Sequence, residues 1–149
     1  MRISIVGVAA IGVALVLAVP VEAVSLPGMR GFETLFGRYG PGGDCTQYPQ
    51  VTIDAAGFAL DRGEGRVERA DRPEHAPGYF GPAYEGIAAA FWPYWSDGGD
   101  NPFLVIVNHD ETPGALLVEP HDFGWTGGPP MPARYQPWLQ GSPYARCGG

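Results

Sequence analysis

The chain has 149 residues, with 9 basic side chains against 16 acidic ones for a net charge of −7, and every basic residue is an arginine. That length suits one domain. The acidity excludes a nucleic-acid partner or an anionic membrane surface, because both need clustered positive charge.

Met1-Arg2 is a short positive start, Ile3 to Val19 is almost wholly apolar and uncharged, and Pro20 ends the run. Val21-Glu22-Ala23 then sets small residues at the positions a signal peptidase reads, so residues 1–23 read as a secretory signal cleaved after Ala23. The apolar run of 17 residues is shorter than the ~20 that a spanning helix needs, so no stable membrane insertion is expected after processing. On this reading residues 24–31 form a flexible lead-in and residues 32–149 a single β-rich domain, secreted to the periplasm or the extracellular space. Cys45 and Cys147 are the two cysteines, and a lone pair in an oxidising compartment is expected to form a disulfide.

Leu, Ile, Val and Phe make up only about 18% of the chain beyond residue 23, a level that in an acidic protein points towards disorder. The 4 Trp and 7 Tyr offset it, because each ring can bury ~150–250 Å². A small aromatic core wrapped in long Gly/Pro-rich loops is the expectation, given 23 glycines and 16 prolines.

In chain order, Phe32 to Phe36 is a short apolar element of undetermined type, and Gly40 to Asp44 reads as a loop. Gln50 to Asp54 alternates polar and apolar residues and reads as a strand, with Ala55-Ala56-Gly57 the turn and Phe58-Ala59-Leu60 its partner. Gly65 to Ala70 fits a further polar strand, and Asp71 to Pro82 a loop. Tyr84 to Trp95 fits a helix face and a strand face equally well, and Pro93 breaks either. Phe103 to Val107 is a buried strand by composition. Thr112-Pro113-Gly114 carries turn chemistry and Ala115 to Glu119 follows as the antiparallel partner. Beyond Gly124 the chain reads as loop, with one strand at Tyr135 to Leu139. Short strands between turn signals predict a mainly β fold, a small antiparallel sandwich or a partly open barrel with room for one short helix.

The motifs that carry chemistry are sparse. His109-Asp110 and His121-Asp122 have the residue types of a transition-metal site. With Pro113 and Gly114 as central turn residues, however, His109 would oppose Val118 and His121 would oppose Ile106, on opposite sheet faces. No metal and no cofactor are therefore expected. Trp95 to Asn101 resembles a fragment of a calcium loop, without the spacing or the closing glutamate of an EF-hand, and reads as a turn. Asp44-Cys45-Thr46 resembles the Asp-Cys-Ser stretch of secreted cell-wall cysteine peptidases. In those the cysteine opens a helix, whereas here Tyr48-Pro49 and a β pattern follow. Ser25, Ser96 and Ser142 lie in no Gly-x-Ser-x-Gly elbow.

Phe91-Trp92-Pro93-Tyr94-Trp95 is the most unusual stretch. Four aromatics around a proline suit either the core of a leucine-poor domain or a contact surface. Trp92, Tyr94 and Trp95, with Asp97 and Asp100, are the candidate binding residues. In a strand Trp92 and Tyr94 would share one face. The leading expectation is a non-enzymatic, protein-binding module for a cationic partner, of the inhibitor or immunity type, since an anionic surface steers cations. The alternatives are a glycan-binding or glycan-cleaving envelope protein using the aromatic stretch, and a structural envelope protein. Intact-mass measurement of the protein exported by its own host should show a chain shortened by residues 1–23. The full-length chain in the membrane fraction would contradict the signal reading.

Overall fold

The computed structural model describes residues 24–26, 28–94, 102–121 and 130–148. It is mainly β, a single antiparallel sheet curled into a half-barrel with one short helical segment. Among the described residues ten strands follow in chain order: β1 (Val24–Ser25), β2 (Gly37–Pro41), β3 (Gln50–Asp54), β4 (Gly57–Asp61), β5 (Val67–Ala70), β6 (Glu74–His75), β7 (Ala89–Trp92), β8 (Phe103–Val107), β9 (Ala115–Pro120) and β10 (Tyr144–Arg146). Their order across the sheet is β1-β6-β7-β8-β9-β10-β2-β3-β4-β5. Of the two expected architectures this is the partly open barrel. Two up-and-down meanders, β2 to β5 and β6 to β9, are joined edge to edge by β10 alone. Among the described residues no helix is long and apolar enough to cross a membrane.

Side-chain alternation builds the core. Val51 and Ile53 of β3, Phe58 and Leu60 of β4, Phe91 of β7, and Leu116 and Val118 of β9 all point into the concave face. Strand β8 is buried on both sides, which accounts for its unbroken apolar run. Phe103, Val105 and Val107 face inward, while Leu104 and Ile106 join an outer cluster with Ala76 and Ala90, covered by Tyr79, Phe80 and Trp92. Helix α1 (Gln136–Gln140) and the 3-10 turn Ala133–Tyr135 before it plug the concave side. Trp138 is fully buried there, 5.2 Å from the Phe103 ring centroid and 6.0 Å from that of Tyr94.

Several expectations are corrected. Residues Tyr135 to Leu139 are helical and not a strand: Tyr135 and Trp138, three apart, share one buried face, and Pro137 sits in the first turn, where no N–H is needed. Gly40 lies in β2 and not in a loop. A Cβ there would come 2.5 Å from the Asp44 carbonyl oxygen, so glycine lets the following turn fold back onto the strand. Within the stretch read as a lead-in, β1 pairs with β6, Met29 is fully buried, and its N–H donates to the Ala55 carbonyl at 3.0 Å. The segment Asp71 to Pro82, taken as loop, contains β6. The register of the β8–β9 hairpin also differs, since Val105 pairs with Val118 and Leu104 with Glu119. The connection is Asn108 to Gly114, not a two-residue turn, because Asn108, Asp110 and Glu111 adopt left-handed backbone and Asn108 Oδ1 accepts the Gly114 N–H.

The Cys45–Cys147 disulfide is present, with a sequence separation of 102. It fastens the residue after β10 to the loop after β2. That loop is ordered by its own side chains: Asp44 accepts from the Thr46 N–H and hydroxyl and from Gln47, and Gln50 Nε2 donates to the Cys45 and Gln47 carbonyls. Cross-linking so long a loop restricts the unfolded chain. Cys45→Ser should therefore cost about 2–5 kcal/mol in urea unfolding and leave Cys147 reactive to a thiol reagent. Two reactive thiols in the native protein without reductant would contradict the pairing.

Candidate functional site

An open cleft of about 630 Å³ lies at the end of the half-barrel where the β8–β9 hairpin turns. That volume falls in the range of small-molecule sites, roughly 300–1,000 Å³. Five parts of the chain build it: the 3-10 turn Glu33–Leu35, the end of β6 with the residues after it, the segment 84–88 leading into β7, the hairpin connection, and Arg146 of β10. Phe32, Leu35, Phe80, Ile87 and Ala89 supply apolar walls. The polar groups are few, chiefly His75, Tyr84, Asn108 and Arg146.

Each polar group is held. Arg146 Nη2 donates to the Thr34 carbonyl at 2.7 Å and to the Tyr39 hydroxyl at 3.0 Å, and the fully buried Tyr39 hydroxyl donates in turn to the Leu35 carbonyl at 2.6 Å. His75 stacks edge-on to Phe32 at 4.8 Å and tilts against Phe91 at 5.2 Å. Burial in this aromatic setting lowers its pKa below the usual imidazole value. The Glu111 carboxylate accepts from the Tyr84 hydroxyl and, at 2.7 Å, from the Ile87 N–H. These bonds hold Glu111 below the ordinary carboxylate range, Tyr84 first and Ile87 second. Asn108 Nδ2 donates to the Ile87 carbonyl at 3.1 Å, completing a clamp between the hairpin tip and the cleft wall. Left-handed backbone at three non-glycine positions is the conformational cost of presenting Glu111 this way.

Among the described residues, none of the candidates named from the sequence lines this cleft. Tyr94 is a core residue with 4% of its surface exposed, beside Phe103, Tyr135 and Trp138, and its hydroxyl donates to Glu68 at 2.8 Å. Strand β7 ends at Trp92 and the chain turns at Pro93. Tyr94 therefore joins Phe91 in the inner core and not Trp92, as uninterrupted alternation would require. Trp92 is half-buried on the outer face, its Nε1–H donating to His121 Nδ1 at 3.4 Å. Trp95, Asp97, Asp100 and Asp122 lie outside the described residues. His109 pairs with Asp110 at 3.3 Å at the hairpin tip, whereas His121 is level with Pro102 at the far end of the same hairpin. At ~3.3 Å per residue the two imidazoles stand roughly 20 Å apart, beyond the reach of one ion. Among the described residues no group of three or more metal-ligating side chains is assembled.

Arg146 and His75 were missed because nothing around either residue in the sequence distinguishes it. Arg146 is separated from Tyr39 by 107 positions, and only strand pairing brings them together. No protein-family model matches the chain, and no curated protein or solved structure matches it either.

The depressed pKa of His75 has a signed consequence. Its neutral form is favoured by folding, so that contribution to stability is full above the unfolded value of 6.5 and is lost as pH falls through the lower folded value. His75→Phe keeps a ring against Phe32 and Phe91 and should flatten the fall of melting temperature on the acid side of neutrality. Identical pH profiles for the two proteins would show that His75 is not desolvated.

Proposed function

We propose that the protein is a non-enzymatic binding module, exported to the periplasm or the extracellular space, that docks a cationic protein partner in the manner of an inhibitor or immunity protein. The signal-like first 23 residues and the Cys45–Cys147 bond support the location. One observation carries the binding reading. Ile87 is 48% exposed, among the most exposed large apolar side chains described, and it sits within a group of exposed carboxylates: Glu85, Asp110 and Glu111. The Asp110 side chain is 83% exposed.

This apex is held rigid by its own hydrogen bonds. Ile87 is fixed through its N–H by Glu111 and through its carbonyl by Asn108, and the Ala88 N–H donates to the Tyr84 hydroxyl at 2.7 Å. A surface already in one conformation loses less entropy when it docks. An apolar anchor within a rim of one charge sign suits a partner with an apolar pocket edged by Arg or Lys. The overall charge of −7 adds long-range steering.

The reading is tested by capture from an envelope extract of the host, comparing the wild-type chain with Ile87→Arg and with the Glu85→Lys/Asp110→Lys double variant. The captured protein should be basic. It should associate more slowly as salt rises, because exposed charges are screened beyond ~8 Å at physiological ionic strength. Ile87→Arg should weaken binding by about 2 kcal/mol or more with unchanged melting temperature. A partner held equally well by all three proteins would remove the apex from the interface.

A further inference from the structure

The cleft carries a charge pattern opposite to that of the molecule around it. The protein has 16 acidic side chains, yet among the described residues none that lines the cleft is Asp or Glu, and Arg146 is the permanent cation among them. Arg146 also forms no ion pair among the described residues, although Arg66, Arg69 and Arg134 each have a carboxylate partner. Its geometry is that of a held group with capacity to spare. Nε and Nη2 are fixed by the Tyr39 hydroxyl and the Thr34 carbonyl, and Nη1 takes part in no hydrogen bond within the described protein. The guanidinium also lies 5.5 Å from the Tyr39 ring centroid. A positioned, unpaired arginine beside an apolar concavity is a recognition element for a carboxylate, which can accept a charge-assisted hydrogen bond from the free Nη1.

The rest of the cleft specifies what the carboxylate is attached to. Phe32, Leu35, Phe80 and Ala89 offer hydrocarbon surface, and His75 adds one polar edge among them. We propose that this cleft binds a small molecule with an apolar body and a single carboxylate, the carboxylate on Arg146 and the body against the apolar wall. The site adjoins the acidic apex and shares Tyr84, Ile87 and Asn108 with it, while Arg146 belongs to the cleft alone. Its occupant has the opposite charge to the docked partner, and neither reading depends on the other.

Isothermal titration calorimetry with decanoate, decanol and decylamine tests the proposal, since the three share a chain and differ in head group. Decanoate should bind at one molecule per chain and about tenfold tighter than decanol, the effect of one charge-assisted hydrogen bond, with decylamine the weakest. Arg146→Met should bring decanoate down to the level of decanol while leaving decanol unchanged. Because Arg146 also supports Tyr39, a second variant leaves the arginine in place: Thr34→Trp, at an exposed position on the rim, fills the cleft and should weaken decanoate and decanol alike by about tenfold or more. Decanoate binding no tighter than decanol in the wild-type protein, or undiminished in Thr34→Trp, would overturn the proposal.

Discussion

The fold depends on three residues at the end of the chain. β10, Tyr144–Arg146, is the strand between β9 and β2, and through it the two meanders become one sheet. The seam is dense for its length. Beyond the ladder itself, the Arg146 N–H donates to the Gly114 carbonyl, the Cys147 N–H to the Arg38 carbonyl and the Gly42 N–H to the Pro143 carbonyl, while Ser142 Oγ accepts from the Val118 N–H. Without β10 each meander would expose an edge of unpaired backbone groups. A three-residue strand has little intrinsic stability, so the disulfide immediately after it and the burial of Tyr144, whose hydroxyl donates to the Trp138 carbonyl, hold it in register.

The core follows from that seam. Joining the meanders side by side gives a sheet long enough to curl, and curling brings β4 against β7, where the Phe58 and Phe91 rings lie 5.4 Å apart. The concavity is wide, and few aliphatic residues are available to fill it. Aromatic rings do so instead, tilted and edge-on around Trp138, Phe103, Tyr94 and Tyr135. Two tyrosine hydroxyls in this core find fixed acceptors: Tyr94 in Glu68, Tyr144 in the Trp138 carbonyl. Burial raises the pKa of both, so each remains a neutral donor. Low aliphatic content is thus reconciled with a folded domain by buried rings, the Tyr94 and Tyr144 hydroxyls among them satisfied.

The same seam produces the cleft. β10 delivers Arg146 to the end of the barrel, where the left-handed Asn108 of the β8–β9 connection and the Ile87 it holds form part of the cleft wall. The charges there are divided by position. Carboxylates occupy the apex, and the arginine, itself exposed, lies against the ring of the buried Tyr39. Backbone strain at Asn108, Asp110 and Glu111 falls beside the surface assigned to binding, where such strain is commonly retained.

Much of this was legible along the chain because it is local. The β3–β4 hairpin, with Asp54 paired to Gly57 across a two-residue turn, and the apolar run of β8 are set by alternation and turn chemistry within a few residues. The disulfide was legible because two cysteines leave one pairing. What was not legible depended on distant neighbours. β2 and β10 are irregular in sequence and are strands because each completes the other's ladder. The segment 133–140 is a helix because Tyr135 and Trp138 have a concavity to fill, and Tyr94 is core because the chain turns at Pro93. The sequence by itself determined a small, acidic, disulfide-linked β domain with an aromatic core, because composition and short-range patterning act over neighbouring residues. Only the tertiary structure decided where the concave site lies and which arginine it holds, because pairing positions more than a hundred residues apart is a property of the closed sheet and of no segment within it.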